Sequence, residues 1–574
     1  MSLALIAALM LAQGAPNGVA APAITVTAEH KRPGHEWMRA QSRHFIILSD
    51  RRRGDVAELV RRMESFHMML RMAIGLPAQE SEAAPRTKLN FLSNERDLPD
   101  PAGNQPMYGI GLYAACSEGV TGFGVDMLYV AAPGKPLDKQ PENEGLSYLY
   151  QSYARHFWYR HSRARSPLWF VEGFAQYMSS ARLVEDDAII GMAPEALARL
   201  ATRTGSYQLT YADVLLGTRK DLLATGDRAA VKNEFAARAW VLTHWILSSP
   251  ANQARARSYF EAVNRGEAAV AAFKRIFGLS PGALDDMLWR YAGTLQAQRL
   301  RLKDIPDASA QYRDYDKGEG AGLMLDAALR SCPAVPQAAR LAGEAQKLAA
   351  DHPASRTAAQ AALHAQVLFG DAGAAMDAVA RLAAASPQDA DARYWLGRAR
   401  LALAERKGDA ALLKQARADL MRAATMDPTH APAAYAYYRA SLLANVLDED
   451  AEGAILAAYQ AEPEVDAYTW QAGLVYAMLG RQEDADALFR ALASEPEDNV
   501  WVIAARARLA KGGNVKGGEV TLADLKAAAA LDVPRPARAP GRGRLQWTIA
   551  NARALNELDV AAAAQSVAEG GDGP

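Results

Sequence analysis

The hydrophobic pattern of the chain changes near its middle. In the N-terminal half, short runs rich in β-branched and aromatic residues predict strands at residues 42–50, 87–94, 108–116 and 126–132. Apolar residues at helical spacing predict a long amphipathic helix between Val56 and Ile74, and from residue 144 to about 302 the pattern is helical. Strands followed by helices are typical of an α+β domain.

Prolines mark a repeat in the C-terminal half. They stand at positions 353, 387, 428, 463 and 496, separated by 34, 41, 35 and 33 residues. A period of this length predicts stacked helical hairpins, in which each pair buries an apolar face against the next. The alternative is an irregular Ala-rich bundle, but the near-equal intervals with small residues in phase favour the repeat.

Two segments carry the repeat most clearly, and both resemble tetratricopeptide repeats. Residues 468–496 do so through Gly473, Tyr476, Gly480, Ala485 and Phe489. Residues 394–428 have Leu396, Gly397, Ala416, Leu420, Ala423 and Pro428 in matching positions. The second period is seven residues longer than the ordinary one, and we assign the excess to an insertion at the hairpin turn, residues 405–411.

Length and composition predict a multidomain globular protein. The 574 residues are too many for one core, and the formal net charge of −1 gives no argument for nucleic acid as a partner. We divide the chain into a signal peptide (1–21), an α+β domain (22–305), an all-α repeat solenoid (306–515) and a C-terminal segment (516–574). That segment has a helix near residues 521–532, a Pro/Arg/Gly linker at 533–544 and a final helix at about 547–568.

The N-terminus predicts export. An apolar run at residues 3–11 is about half the length needed to span a bilayer, and small residues suited to cleavage follow it. We therefore expect a periplasmic or secreted bacterial protein, although the positively charged segment before the run is weak. A disordered or buried N-terminal segment is the alternative. No later run of 18 apolar, uncharged residues occurs, so the sequence predicts no integral membrane segment after signal cleavage.

The two cysteines, Cys116 and Cys332, fall in different predicted domains. Two cysteines in so long a chain make neither a disulfide-rich scaffold nor a Cys-rich zinc site. They could form a disulfide, but the sequence favours two separate small core residues.

Residues 149–177 hold the candidate chemistry. In H-E-x-x-H peptidases two histidines one helical turn apart bind zinc, and the glutamate beside the first activates the metal-bound water. In one branch, the gluzincins, the third ligand is a glutamate on the next helix, commonly in a W-x-x-E-G-x-A-x-Y context. The segment "PLWFVEGFAQY" supplies this pattern through Pro167, Trp169, Glu172, Gly173, Ala175 and Tyr177.

The chain at this point resembles the peptidase MA-like gluzincin domains of bacterial exported proteins, which are often fused to tetratricopeptide repeats. The resemblance covers roughly residues 40–300. It rests on the strand "HFIILSD" and its following helix, on the Glu172 segment, and on a later helix at residues 235–247. It implies a zincin-like α+β fold, a zinc ion and protease activity.

The sequence departs from this family where the chemistry should be. The family's His-Glu-Tyr-x-His is replaced by Gln151, Ser152, Tyr153, Ala154 and Arg155, so both histidines and the base are absent. Arginine cannot bind zinc, because its guanidinium stays protonated and has no free lone pair. We therefore predict no catalytic residues, no metal ligands and no cofactor.

An alternative site draws on other histidines. A register shifted by one residue puts His156 in the second ligand position, and a rearranged zinc site would use His156, His161 and Glu172. His156 and His161 are five residues apart, however, which fits one helical face poorly. His244 lies on an otherwise apolar helix and is better read as a core residue with its hydrogen bonds satisfied.

The sequence also offers a replacement for the metal. If Arg155 lies in the second ligand position and Glu172 in the third, a guanidinium stands where a cation would have been. We predict a charge-assisted pair between them, with Gln151 hydrogen-bonded to the same cluster. In the alternative, Arg155 points to solvent and Glu172 lies near the N-terminus of its own helix, where a carboxylate is favoured.

Three functions are compatible with these residues. The first is an exported pseudopeptidase that binds or scaffolds proteins or peptides through the groove of its repeats. The second is an active zinc metallopeptidase with a non-standard site. The third is a pure interaction module, whose N-terminal domain is a structural cap for the solenoid.

Overall fold

The computed structural model describes residues 37–77, 85–93, 111–125, 144–162, 166–184, 187–192, 209–217, 228–302, 308–494, 499–510 and 520–532. They form an N-terminal α/β region with a mixed sheet and a C-terminal helical region. Four predicted features lie outside the described residues: the signal peptide (1–21), the strand at 126–132, the linker at 533–544 and the helix at 547–568.

Nine strands form two sheets within the described residues. They are β1 (Trp37–Gln41), β2 (Phe45–Ser49), β3 (Thr87–Leu92), β4 (Gly111–Cys116), β5 (Gly119–Val125), β6 (Arg182–Val184), β7 (Asp187–Ile190), β8 (Gln298–Arg301) and β9 (Gln311–Tyr315). The larger sheet has the order β4-β5-β3-β2-β1-β9, and the smaller one has the order β6-β7-β8. In the larger sheet β3 pairs parallel with β2 and β5, and the other pairs are antiparallel.

Helices cover the rest of both regions. In the α/β region they are α1 (Arg53–Ala73), α2 (Glu144–His161), α3 (Leu168–Ser179), α4 (Tyr211–Leu216), α5 (Arg228–Leu247), α6 (Pro250–Asn264), α7 (Ala269–Phe277) and α8 (Pro281–Ala292). The C-terminal region has α9 (Lys317–Leu329), α10 (Val335–Asp351), α11 (Arg356–Phe369), α12 (Ala372–Ala385), α13 (Ala390–Lys407), α14 (Ala410–Met426), α15 (Ala431–Leu443), α16 (Glu449–Ala461), α17 (Asp466–Met478), α18 (Gln482–Ala493), α19 (Val500–Ala510) and α20 (Leu522–Ala529). Among the described residues, no helix combines the length and the apolar character that crossing a membrane requires.

The predicted strands at 42–50, 87–94 and 108–116 contain β2, β3 and β4, and the predicted helix from Val56 to Ile74 matches α1. The sequence missed β1, β5, β9 and the small sheet. Three glycines made β5 look like a turn, yet the packing of α2 on the sheet requires one of them, Gly124. A Cβ at Gly124 would lie 2.7 Å from the Gly145 carbonyl oxygen and 2.9 Å from Leu149.

The larger sheet extends past residue 305, where the sequence placed the end of the α+β domain. Strand β9 pairs with β1 from Gln311↔Gln41 to Tyr315↔Trp37. The α/β region therefore takes in residues that the sequence had placed with the repeats, and the helical region begins with α9.

The proline period corresponds to helical hairpins. Pro353, Pro387, Pro428 and Pro463 each lie three residues before the first residue of α11, α13, α15 and α17, respectively. Small residues allow the paired helices to approach, as the sequence predicted. A Cβ at Gly397 would lie 2.5 Å from Leu420, and one at Gly473 would lie 2.7 Å from Phe489.

The seven extra residues of the long repeat are not a loop insertion. They lengthen both helices of the hairpin: α13 and α14 have 18 and 17 residues, against 14 each in α11 and α12. Gly408 ends α13 with φ +65°, and the Asp409 carboxylate accepts from the amides of Ala411 and Leu412 to begin α14. Glu, Arg, Lys and Ala are good helix formers, so the inserted residues extend the helices.

Candidate functional site

Helices α2 and α3 bring four polar side chains together. Gln151 and Arg155 lie one turn apart on α2, and Glu172 and Gln176 lie one turn apart on α3. Helix α3 packs closely on α5 because residue 173 is glycine: a Cβ there would overlap the Thr243 hydroxyl and the Ala239 carbonyl. This packing fixes the helix that carries Glu172.

The predicted contact between Arg155 and Glu172 is present. Arg155 Nη2 donates to Glu172 Oε2 at 2.6 Å, through one guanidinium nitrogen. Gln151 Nε2 donates to Glu172 Oε1 at 3.0 Å, and Gln176 Nε2 donates to the same oxygen at 2.9 Å. The first turn of α3 holds no acidic residue, so Glu172 does not serve as a carboxylate at the helix N-terminus.

Burial and charge act against each other in this pair. The side chains of Arg155 and Glu172 are 19% and 17% exposed. Burial alone would lower the pKa of Arg155, but the Glu172 carboxylate outweighs burial and raises it above its ordinary value. Burial alone would raise the pKa of Glu172, but Arg155, Gln176 and Gln151 hold it below its ordinary value. Both groups are therefore charged at neutral pH.

The helical region reaches over this cluster. The ring of Tyr113, from β4, lies 5.3 Å from the Arg155 guanidinium carbon, and its hydroxyl donates to Glu464 Oε1 at 2.6 Å. His156 Nδ1 lies 2.5 Å from the same Glu464 oxygen. Glu464 belongs to the loop between α16 and α17, so side chains of β4 and of this loop lie on the side of α2 next to Arg155.

The remaining positions of the degenerate motif face the core. Ser152 is buried, and its hydroxyl donates to the Tyr148 carbonyl oxygen of its own helix at 2.8 Å. The Tyr153 hydroxyl lies 2.6 Å from His67 Nδ1, and Ala154 is fully buried. The position that would carry a catalytic base thus holds a side chain that is hydrogen-bonded within its own helix.

Zinc does not fit the four residues around Glu172. The guanidinium of Arg155 has no lone pair to offer, and both oxygens of Glu172 already accept hydrogen bonds. A zinc site needs three or four ligand atoms with free lone pairs around one point, and this cluster supplies hydrogen-bond donors instead.

The alternative ligand set is not assembled either. In the part of the chain that the structure describes, no three His, Cys, Asp or Glu side chains are grouped so that they could hold a metal ion, His156, His161 and Glu172 included. His161 packs its ring 4.4 Å from that of Phe157. His244 is a buried core histidine with both ring nitrogens engaged, by the Tyr291 hydroxyl and the Gln296 carbonyl oxygen.

A second charged cluster joins the two regions. The turn between β4 and β5 consists of Ser117 and Glu118. The Glu118 carboxylate accepts from Arg398 Nη2 at 2.8 Å and from the Tyr394 hydroxyl at 2.5 Å, and the Tyr468 hydroxyl donates to the Ser117 carbonyl oxygen at 2.9 Å. The donors to the turn lie on α13 and α17, and the ring of Tyr435, on α15, lies 4.8 Å from that of Tyr468. We call Tyr394, Arg398, Tyr435 and Tyr468 the tyrosine face.

The tyrosine face is covered within the chain. The side chains of Glu118 and Arg398 are 6% and 10% exposed, and the carboxylate raises the pKa of Arg398 although burial opposes it. Every residue from 431 to 442 on α15 and from 467 to 476 on α17 is buried. Helices that are buried all round have neighbours on every side, and here α20 and the β4–β5 turn supply the additional contacts.

Beside the turn, two glutamates of the α16–α17 loop are held close together. The Val120 amide donates to Glu462 Oε1 at 3.3 Å. Burial, and then the neighbouring charge of Glu464, raises the pKa of Glu462 to about 7. One oxygen of Glu462 and one of Glu464 have no hydrogen-bond partner among the described residues. This loop therefore places buried carboxylate oxygens without partners at the contact between the regions.

The cysteines correct the sequence-based expectation. Cys116, at the end of β4, and Cys332, just after α9, form a disulfide with their Cα atoms 6.3 Å apart. Their sequence separation of 216 left no local signal for pairing. The bond lies next to the β4–β5 turn and ties it to the helical region.

No protein-family model matches this chain, and no curated protein matches it in sequence. The gluzincin and tetratricopeptide resemblances therefore rest on the residues quoted above.

Sequence reasoning missed several members of these clusters. Gln176 lies one turn after Glu172 within the quoted motif, so the spacing of the two residues could have identified it. Tyr113, Glu118, Arg398 and Glu464 had no such signal, because each meets its partner only after the two regions pack together.

Proposed function

We propose that this protein is an exported pseudopeptidase that has lost zinc chemistry and binds or scaffolds other proteins. The observation that carries the proposal is the Arg155 guanidinium bound to Glu172, at the position where the resemblance places a metal. A partly buried carboxylate needs a compensating cation. Arg155 supplies that cation without any ligand atom that could activate water.

The disulfide supports the export part of the proposal. Disulfides form and persist in oxidising compartments such as the periplasm and the cell exterior, and they are rare in the cytosol. In the sequence alone, Cys116 and Cys332 did not indicate a cellular compartment. Their pairing supports the signal peptide that the sequence predicts at residues 1–21.

The stacked hairpins support the binding part. Repeats of this kind present extended surfaces on which segments of other proteins can lie. The tyrosine face is filled by the chain itself, however, so a partner of this face must displace the β4–β5 turn. The same contact favours a second candidate function, an interaction module in which the α/β region caps the repeats.

Metal content after purification tests the loss of zinc chemistry. We expect the full chain, dialysed against zinc and then washed, to hold far less than one zinc per chain. The double variant Gln151→His with Arg155→His restores two imidazoles one turn apart beside Glu172, and we expect it to bind about one zinc per chain. Adding Glu172→Ala to this variant is the matched control and should remove the metal.

One result would decide for the alternative metallopeptidase. If the wild-type chain holds stoichiometric zinc and loses it on Glu172→Ala, the Arg155–Glu172 pair is not a replacement for the metal. Hydrolysis of a denatured protein substrate, measured on the same samples, then shows whether the site is active.

A further inference from the structure

The β4–β5 turn is bound to the helical region as a ligand is bound to a site. Its carboxylate, Glu118, receives one charge-assisted and one hydroxyl hydrogen bond, and its main chain at Ser117 receives a third. All three donors come from first helices of hairpins: Tyr394 and Arg398 from α13, and Tyr468 from α17, with the α15–α16 hairpin between them. A paired donor set for a carboxylate, with a further side-chain donor to a main-chain carbonyl beside it, is the chemistry of peptide recognition.

The conformation of the β4–β5 turn also fits the surface of the helical region. Gly119 has φ +107°, which allows the two-residue turn, and a Cβ there would come within 3.4 Å of both Glu462 and Pro432. Val120, the next residue, is buried in the core of the helical region. The site thus accepts a tight turn with the pattern Glu-Gly-apolar.

The disulfide holds this turn in place. Cys116 directly precedes the turn, and its bond to Cys332 anchors it to the helical region. A tether this short keeps the local concentration of Glu118 at Arg398 high, so that an external segment competes poorly.

We propose that the tyrosine face is a binding site for a glutamate-bearing turn of another protein, and that the chain's own β4–β5 turn occupies it until the Cys116–Cys332 disulfide is reduced. This inference rests on the proposed function, in which the repeats bind proteins. A dithiol reductant supplies two electrons and two protons: its sulfurs join in a disulfide, the Cys116–Cys332 bond breaks, and both cysteines become thiols.

The probe for the test is the chain's own turn. A labelled synthetic peptide of residues 111–125, with Ser in place of Cys116, is titrated with the full-length protein, and binding is read by fluorescence anisotropy. We expect the protein treated with dithiothreitol, and the Cys116→Ser variant, to bind it at least tenfold more tightly than the oxidised protein. Equal binding by the oxidised and reduced forms, or no binding by either, would overturn the inference.

The substitution Glu118→Gln can be made either in the peptide or in the protein, and the two cases have opposite expected effects. In the peptide it removes the charged partner of Arg398 and should weaken binding at least tenfold. In the oxidised protein the same change weakens the internal occupant and should strengthen binding of the unchanged peptide. A loss of binding in both settings would contradict competition for one site.

Two variants on α13 locate the site. Arg398→Ala should abolish peptide binding by the reduced protein. Arg393→Ala is the matched control, because Arg393 lies on the same helix but pairs with Asp419 of α14; it should leave binding within twofold. If both variants lose binding equally, the effect is a general one on the repeats and the site is wrongly placed.

Hydrogen exchange tests the inference on the wild-type chain, so it needs neither the peptide nor any variant. Reduction of the wild-type chain should speed exchange of the Val120 amide at least tenfold and leave α3 unchanged. Unchanged exchange at Val120 would overturn the inference. Zinc content and hydrolysis decide the loss of catalysis separately, so failure of the two proposals can be told apart.

Discussion

The molecule contains two Arg–Glu clusters that look alike and do different work. Arg155 and Glu172 are 17 residues apart, join two adjacent helices of one region, and are supported by two glutamines. Arg398 and Glu118 are 280 residues apart and join the α/β region to the helical region. The first cluster joins two helices of one region, whereas the second is one of the contacts that hold two regions together. The comparison shows that a charge pair acquires its role from the elements that it connects.

The largest effect is expected from the covalent bond beside the second cluster. Because the Cys116–Cys332 disulfide closes a very long loop, its removal in the double variant Cys116→Ser with Cys332→Ser should lower the free energy of unfolding by about 4 kcal/mol. Denaturant titration measures this. Dithiothreitol should reproduce the loss in the wild type and change nothing in the variant. A variant as stable as the wild type would mean that the regions do not unfold together.

Removing the cation of the second cluster comes next. Arg398→Ala leaves Glu118 buried without a charged partner, and we expect a loss of about 3 kcal/mol in the free energy of unfolding. Adding Glu118→Gln should restore part of the loss, because the uncompensated charge is gone. Arg393→Ala, on the same helix, should cost less, since Arg400 still pairs with Asp419. Equal losses in the two single variants would show that the Arg398–Glu118 pair contributes no more to stability than the Arg393–Asp419 pair within the repeats.

The first cluster should respond less strongly. Arg155→Met removes the ion pair but leaves two glutamine donors on Glu172, so we expect a loss of about 2 kcal/mol at pH 7. The pKa of Glu172 is below its ordinary value, so the pair stabilises the protein above the unfolded-state pKa. That contribution is lost as pH falls through the folded-state pKa. The penalty of the variant should therefore shrink in acid, and a penalty independent of pH would argue against an ionic pair.

The smallest expected effect is a pH dependence of stability caused by Glu462, which lies beside the second cluster. The pKa of Glu462 is about 7 in the folded protein, above its ordinary value, through burial and Glu464, with His156 and Lys88 facing it in opposition. A raised carboxylate pKa means that stability falls as pH rises through the folded value. Between pH 6 and 8 the wild type should therefore lose about 1 kcal/mol more than Glu462→Gln. Parallel pH profiles would show that Glu462 is not protonated at the contact.

The sequence predicted those elements that are specified by a local pattern of residues. Three strands, α1 and the starts of four hairpins follow from spacing alone, and the Arg155–Glu172 contact follows from the ligand positions that the gluzincin resemblance gives to these two residues. Strand β5 was missed because it is rich in glycine, and the need for Gly124 in the packing against α2 is a tertiary requirement. The disulfide, strand β9 and the Glu118 contact escaped because their partners lie hundreds of residues away or in another region. No single window of sequence contains both halves of such a contact.

The pairing of β9 with β1 has a consequence for dividing the protein into fragments. A fragment that stops at residue 305 would leave β1 as an open edge, with unpaired amides and carbonyls that favour aggregation. The complementary fragment would contain the five residues of β9 without their strand partner. Deletion experiments that compare the two regions should cut after Tyr315, where the sheet ends and α9 has not begun. Such fragments also need Cys116 or Cys332 replaced, because each would carry one unpaired thiol prone to intermolecular disulfides.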